Sequence, residues 1–166
     1  MSFDADSFMN QQVDGQLDTV VMQPPEGDYR AMIGEFTSES GFRTFTVQKQ
    51  TSKRFGEEMT IFQPPFVLQS DPRLAEVQQA RNSDEITVYH QGIFLDLTDQ
   101  GGLDMGKGKN VDLGRLRDAV GQNAKPGWKF TDLIGAGPVM VKIVHEKDQN
   151  DDTKKYARVA RVVKIT

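Results

Sequence analysis

The sequence predicts a mainly β protein: a small antiparallel five-stranded barrel with a helix inserted before the last two strands. Three observations carry that prediction. Apolar–polar alternation of period two recurs along the chain, with Pro and Gly interrupting it at short intervals. One amphipathic helical stretch falls late, just ahead of two long strand runs at 138–145 and 156–165. The repeating βαβ order of a doubly wound sheet is absent.

Each element follows from local chemistry. Residues 1–26 form an acidic arm carrying Phe3, Phe8, Met9, Val13, Leu17, Val20, Val21 and Met22. Pro24 and Pro25 end it, because proline fixes φ and restricts the residue before it. Residues 28–37 read as a strand, with Tyr29, Ala31, Ile33 and Glu35 on one face and Met32 and Phe36 on the other. A turn at 38–41 leads to a second strand at 42–51, and the two are expected to pair as a hairpin. After a charged connection at 52–58, residues 59–69 are extended, with Pro64 and Pro65 placing them at an edge or bend. Residues 71–81 form a short helix capped by Asp71, with Pro72 at its first position and Leu74 and Val77 on one side.

The run 85–98 is a long strand whose apolar phase slips from Ile86 and Val88 to Ile93, Leu95 and Leu97. The slip falls at Gln91–Gly92, the mark of a bulge. Residues 110–120 form a helix with Leu113, Leu116 and Val120 on one stripe and Gly121 just past its end. A turn at 131–134 and a polar loop at 146–154 complete the order. Three or four strands, a helix and two strands match the plan of an OB-fold, occupying residues 27–166.

At 166 residues the chain supports one domain with a real core. No apolar run approaches the ~20 residues of a membrane helix, so no membrane partner is expected. The absence of cysteine excludes disulfides, thiolate metal sites and cysteine nucleophiles. With no basic, apolar leader at the N-terminus, it fits a cytoplasmic setting. The net charge of −4 hides an uneven distribution. The first 29 residues hold six of the 24 acids and none of the 20 bases, leaving 18 acids against 20 bases, a net +2, in the remainder.

Enzyme chemistry finds little footing. Gly101, Gly106 and Lys107 keep the spacing of a phosphate-binding loop, but position 108 is Gly, so the hydroxyl that would hold Mg²⁺ is missing. His90 and His145 lie in separate strands without a partner at metal-ligand spacing. The run Asp148, Asn150, Asp152 imitates a calcium loop but lacks its turn glycine and bidentate acid. No nucleophile elbow occurs. The sequence therefore calls for no catalytic residue, metal or cofactor.

Single-strand binding needs exposed rings for base stacking and cations along a backbone path. The segment 42–55 supplies Arg43, Phe45, Lys49, Lys53, Arg54 and Phe55, together with Phe42. Tyr89 and Phe94 follow on the bulged strand. Trp128 and Lys129 follow on a connection that places the indole at the surface, and Tyr156 and Arg158 on the last strand. Lys107 and Lys109 charge a glycine loop whose backbone can approach an anion. Arg158 and Arg161 fall on opposite strand faces by parity. The candidate binding set is Arg43, Phe45, Lys49, Lys53, Arg54, Phe55, Tyr89, Lys107, Lys109, Trp128, Lys129 and Arg158.

Several motifs together resemble a family. They are Glu26-Gly27-Asp28-Tyr29, then Gly106-Lys107-Gly108-Lys109-Asn110-Val111 with Leu113-Gly114-Arg115-Leu116-Arg117. They continue with Gly135-Ala136-Gly137-Pro138-Val139 and the closing Tyr156-Ala157-Arg158-Val159-Ala160-Arg161-Val162. Over 26–165 the chain resembles the OB-fold single-stranded DNA-binding proteins of tailed bacteriophages. The resemblance implies a viral replication or recombination accessory that coats single-stranded DNA in the host cytoplasm. Many such proteins end in an acidic tail that recruits partners; here the acids open the chain and the end is Val162-Val163-Lys164-Ile165-Thr166. The arm is thus expected to meet replication or recombination proteins, to occupy the basic groove, or to pack on a neighbouring subunit of a homo-oligomer. A virion or assembly protein laced together by its arm is the alternative expectation.

Overall fold

In the computed structural model, which describes residues 2–166, eight strands divide between two antiparallel sheets. The larger has the order β5–β4–β1–β7–β8, built from β1 (Gly27–Ile33), β4 (Pro65–Leu68), β5 (Thr87–Tyr89), β7 (Val139–Lys147) and β8 (Lys155–Lys164). The smaller is β2–β3–β6, from β2 (Phe42–Thr46), β3 (Glu58–Phe62) and β6 (Ile93–Leu95). Four helices accompany them: α1 (Ala5–Met9), α2 (Ser38–Gly41), α3 (Ala75–Arg81) and α4 (Val111–Ala119).

The larger sheet is not hydrogen-bonded into a closed barrel. Its edge strands β5 and β8 touch at a single parallel bridge, His90 to Val159, where the Gln91 N–H donates to the Val159 carbonyl at 3.0 Å. Alternation decides the inward faces. Tyr29, Ala31 and Ile33 of β1, Val139, Val141 and Ile143 of β7, and Ala157 and Val159 of β8 are buried in one core. Leu74 and Val77 and, from α4, Leu113 and Leu116 pack into the same core. The helix starts behave as their residues dictate. Asp71 accepts from the Arg73 N–H and Pro72 follows it; Gly121, at φ 75°, takes the left-handed turn past α4.

The expected hairpin between the first two strand runs does not form. β1 pairs with β4 and β7, while β2 pairs with β3. The one-turn helix α2 redirects the chain: Thr37 and Ser40 cap it reciprocally, and Phe36 lies against the Gly41 backbone, where a Cβ would stand 2.8 Å from its ring. Phe42 then stacks on Phe62 at 5.0 Å, and Phe36 and Phe130 meet the same ring edge-on at 5.2 and 5.0 Å. Aromatic packing of this kind outweighs the local pull of a short turn.

Two more sequence expectations change. The long strand at 85–98 splits into β5 and β6 at Gly92, whose φ of 136° places its backbone where few side chains can follow. In β8 a bulge leaves Ala160 without a partner, since Arg161 pairs with Lys142 but Val159 pairs with Ile143. Arg158 lies opposite Val144, so Arg158 and Arg161 share one face instead of opposing.

Both histidines are structural. His145 engages the Pro24 carbonyl through Nε2 at 2.7 Å, and its N–H donates to Glu26. His90 accepts the Gly92 N–H at 2.9 Å. Burial lowers its pKa from 6.5 to about 4, against a smaller opposing pull from the Asp112 carboxylate. The neutral ring is the folded form, so the unfolded chain takes up a proton first as pH falls. Stability contributed by His90 is therefore complete above about pH 6.5 and lost on descent toward pH 4. Urea titrations at pH 7.5 and 4.5 should differ by on the order of 2–3 kcal/mol through this group, and His90→Gln should remove that part of the difference.

Candidate nucleic-acid interface

The smaller sheet has one packed face and one open face. Register places Phe42 opposite Phe62 and Phe62 opposite Ile93, and these side chains point to the core. By parity, Arg43 and Phe45 of β2, Met59 and Ile61 of β3, and Phe94 of β6 share the other face. Phe94 is 54% exposed, its ring centroid 6.5 Å from that of Phe45. The Arg43 guanidinium lies 5.6 Å from the Phe45 centroid. Ile61, buried beneath Gly92, forms the floor.

The connection 47–57 extends this face. Five main-chain bonds fold it: Ser52 N–H to Lys49, Phe55 N–H to Ser52, Glu57 N–H to Arg54, Gly56 N–H back to Val47, and Val47 N–H to Glu57. Gly56 takes φ 83°, which a side chain would resist. Arg54 reaches the Met59 sulfur at 3.6 Å, so its guanidinium returns to the open face. Lys49 and Lys53 are exposed on the same turn, and Phe55 is 52% exposed. Glu57 and Glu58 are also exposed nearby and temper the charge. Six of the twelve candidate residues thus belong to one sheet face and its loop: Arg43, Phe45, Lys49, Lys53, Arg54 and Phe55.

Tyr89 and Arg158 meet elsewhere. They line a cleft of about 400 Å³ with Tyr156, Arg81 and the arm segment around Val20. The arm is fixed there: Arg81 Nε donates to the Met22 carbonyl at 2.8 Å, and Gln23 Oε1 accepts the Ala157 N–H at 3.0 Å. Pro24 is fully buried.

Trp128 does not stand at the surface as its flanking lysines suggest. It is half-buried, its ring centroid 4.9 Å from Phe130 and 4.3 Å from the Arg117 guanidinium. Its Nε1–H donates to Gln122 at 2.9 Å. Phe130 touches Phe42 and Phe62, so Trp128 belongs with the packed side of the smaller sheet, away from Arg43 and Phe45. Lys129 is exposed beside it, with its N–H donated to Asp132.

Lys107 and Lys109 are exposed on a loop that is built, not open. Asn110 organises it from a left-handed conformation at φ 51°. Its side chain accepts the Asp96 N–H at 2.8 Å and donates to the carbonyls of Asp96 and Asp104. Its own N–H donates to the Asp96 carboxylate. The Gly106 N–H is taken by Asp104, and the Lys109 N–H by the Gly106 carbonyl. Three of the loop's amides, those of Gly106, Lys109 and Asn110, are therefore already engaged within the protein. Among the described residues, no cluster of three or more metal-ligating side chains gathers.

Comparison with protein-family models, curated proteins and solved structures returns no match.

Met59, half-buried, and Ile61, buried beneath it in the same row, are the residues of this sheet face that the sequence did not single out. They become legible once β2 is known to pair with β3, because register then puts them beside Phe45 and Arg43. Asn110→Ala removes three side-chain hydrogen bonds at a left-handed residue, and a loss of about 2–4 kcal/mol is expected. Chemical denaturation measures that loss, and amide exchange should rise across 96–110.

Proposed function

We propose that this chain is a sequence-nonspecific single-stranded DNA-binding protein of a bacteriophage, coating exposed DNA during replication or recombination without catalysis. The observation that carries the reading is the open face of the smaller sheet. It sets Phe45 and Phe94 side by side, with Arg43 and Arg54 at their margins. Rings stack on bases of any sequence, and guanidinium and ammonium groups neutralise the phosphates between them. The scaffold order supports the same reading. β1, β4 and β5 form a meander, α4 precedes the β7–β8 hairpin, and β5 meets β8 in parallel, which is the connectivity of an OB-like barrel with a hairpin inserted in its first loop.

The arm favours a second reading, a virion or assembly protein. Phe3, Phe8, Met9, Val13 and Leu17 are exposed together, as a lacing segment needs. Deletion of residues 2–18 separates the two: DNA binding survives in the first and assembly is lost in the second.

Labelled oligo-dT followed by fluorescence anisotropy tests the main reading. Phe45→Ala and Phe94→Ala should each weaken binding roughly 5- to 100-fold, since a stacked base is worth ~1–3 kcal/mol. With about four cations engaged, affinity should fall with a log–log salt slope near −3, and Arg43→Ala should make it shallower by about 0.7. Trp128→Phe should leave affinity unchanged. Equal affinity for duplex, or full binding after replacement of Arg43, Lys49, Lys53 and Arg54, would overturn the assignment.

A further inference from the structure

We infer that two copies of this chain pair antiparallel along β2, joining their smaller sheets into one continuous six-stranded sheet. The inference starts from which edges are free. β5 and β8 face each other across the His90–Val159 bridge, and the arm takes the Ala157 N–H of β8. Past its end, β6 runs into the Asp96–Asn110 network. β2 has β3 on one side and no strand on the other.

The ladder shows which groups are unpaired. Gln63 N–H donates to the Gly41 carbonyl at 2.7 Å, and Val47 exchanges bonds with Glu57 and Gly56 at 2.9 and 3.0 Å. Alternation assigns the odd residues of β2 to β3, so the N–H and C=O groups of Phe42, Thr44 and Thr46 point outward. Solitary edge strands are ordinarily blunted by proline, lysine, a bulge or an inward charge. The sequence Phe-Arg-Thr-Phe-Thr has no proline, lysine or bulge; its single charge, Arg43, lies on the open face, and the opposite side carries Phe42 and the uncharged, exposed Thr44 and Thr46.

This edge is also complementary to itself. A two-fold axis at Thr44 sets Thr44 opposite Thr44 of the second copy and Phe42 opposite Thr46, which satisfies the outward groups with about six backbone bonds. The non-hydrogen-bonded pairs are then Arg43 opposite Phe45 in both directions. In that pairing side chains approach most closely, and a guanidinium over a ring is attractive. No like charges stand opposite one another along the seam. The occupant is therefore a second copy of this chain, since an unrelated strand would have to reproduce the same alternation of cation and ring.

The pairing has a functional consequence, which rests on the proposed single-stranded DNA binding. The open faces of the two small sheets become one surface, with Phe94, Phe45 and Arg43 repeated about the axis. Six strands at ~4.8 Å spacing give a platform roughly 25–30 Å across. A strand crossing both copies meets twice the rings that one copy offers.

Thr44 supplies the test, because its N–H faces away from β3 and its side chain lies outside the stacking set. Thr44→Pro deletes an outward donor while leaving the β2–β3 ladder intact. Thr44→Val removes the hydroxyl contact with Thr60 but keeps the edge. Sedimentation at concentrations up to about 100 µM should show a dimer for the wild type and Thr44→Val, and at least ~10-fold weaker association for Thr44→Pro. A cross-link provides an independent measure, since the chain has no cysteine. Hydrogen-bonded antiparallel pairs sit ~5.5 Å apart at Cα, within disulfide range, so Thr44→Cys should form a covalent dimer under mild oxidation while the exposed Gln100→Cys does not.

A monomeric wild type with no Thr44→Cys cross-link overturns the pairing, as does a dimer that Thr44→Pro leaves intact. Short oligo-dT separates this result from the function. Monomeric Thr44→Pro that still binds a short oligonucleotide, but loses the gain seen with longer ones, supports both. A β2-paired dimer that binds no DNA keeps the pairing and removes the functional reading.

Discussion

One bent hairpin holds the architecture together. The run β3 to β4 and its partner β6 to β5 form a continuous antiparallel pair shared by both sheets. It folds at a corner made by Gln63–Pro64 on one side and His90–Gly92 on the other. The His90 N–H donates to the Pro64 carbonyl at 3.0 Å, Gln63 Nε2 donates to the Gln91 carbonyl at 3.2 Å, and the Gly92 N–H is capped by His90 itself. Proline at the bend costs nothing where no ladder donor is needed, and glycine alone accepts the φ at 92 easily. Without that corner the smaller sheet would continue in the plane of the larger one.

The corner divides labour between the sheets. The larger sheet places its apolar residues inward against Leu74, Val77, Leu113, Leu116 and Leu133. Arg73 secures its opening strand, stacking 3.9 Å over Tyr29 and donating to the Asp28 carbonyl, while its bonds hold the Asp71 carboxyl down at about 2. Gly27 leaves room for this guanidinium, since a Cβ there would stand 2.7 Å from it. The smaller sheet is anchored on one side by the Phe36–Phe42–Phe62–Phe130 cluster and left free on the other. Arg43, Phe45 and Phe94 share that side because the aromatic cluster fills the other.

Local signals in the sequence match the structure. Asp71–Pro72 started a helix, Gly121 ended one, and the closing strands lay within a residue or two of their observed limits. Choices made at a distance were not legible. Whether 42–46 pairs with the strand before it or after it depends on Phe62 and Phe130, far along the chain. The shared face of Arg158 and Arg161 depends on one unpaired residue, Ala160, which no alternation pattern announces. The lysines beside Trp128 suggest solvent, but its partners, Arg117 of α4 and Gln122 just past that helix, hold the ring half-buried. Arg43, Phe45 and the 47–57 loop nonetheless share one side of the smaller sheet, because they are close in sequence.

The anchoring of the N-terminal segment sets a length scale. Arg81 and Gln23 clamp the chain at Met22 and Gln23, and Pro24 is enclosed, so what precedes them is a leash with a fixed origin. About twenty residues stretched at ~3.3 Å each span some 65 Å, against a radius of gyration near 14 Å for a body of this size. That extended length is an upper bound, since Ala5–Met9 is helical, yet it is enough for the arm's carboxylates to reach any part of its own molecule. They act there as a locally concentrated polyanion, whose strength at any surface is set by tether length as much as by affinity.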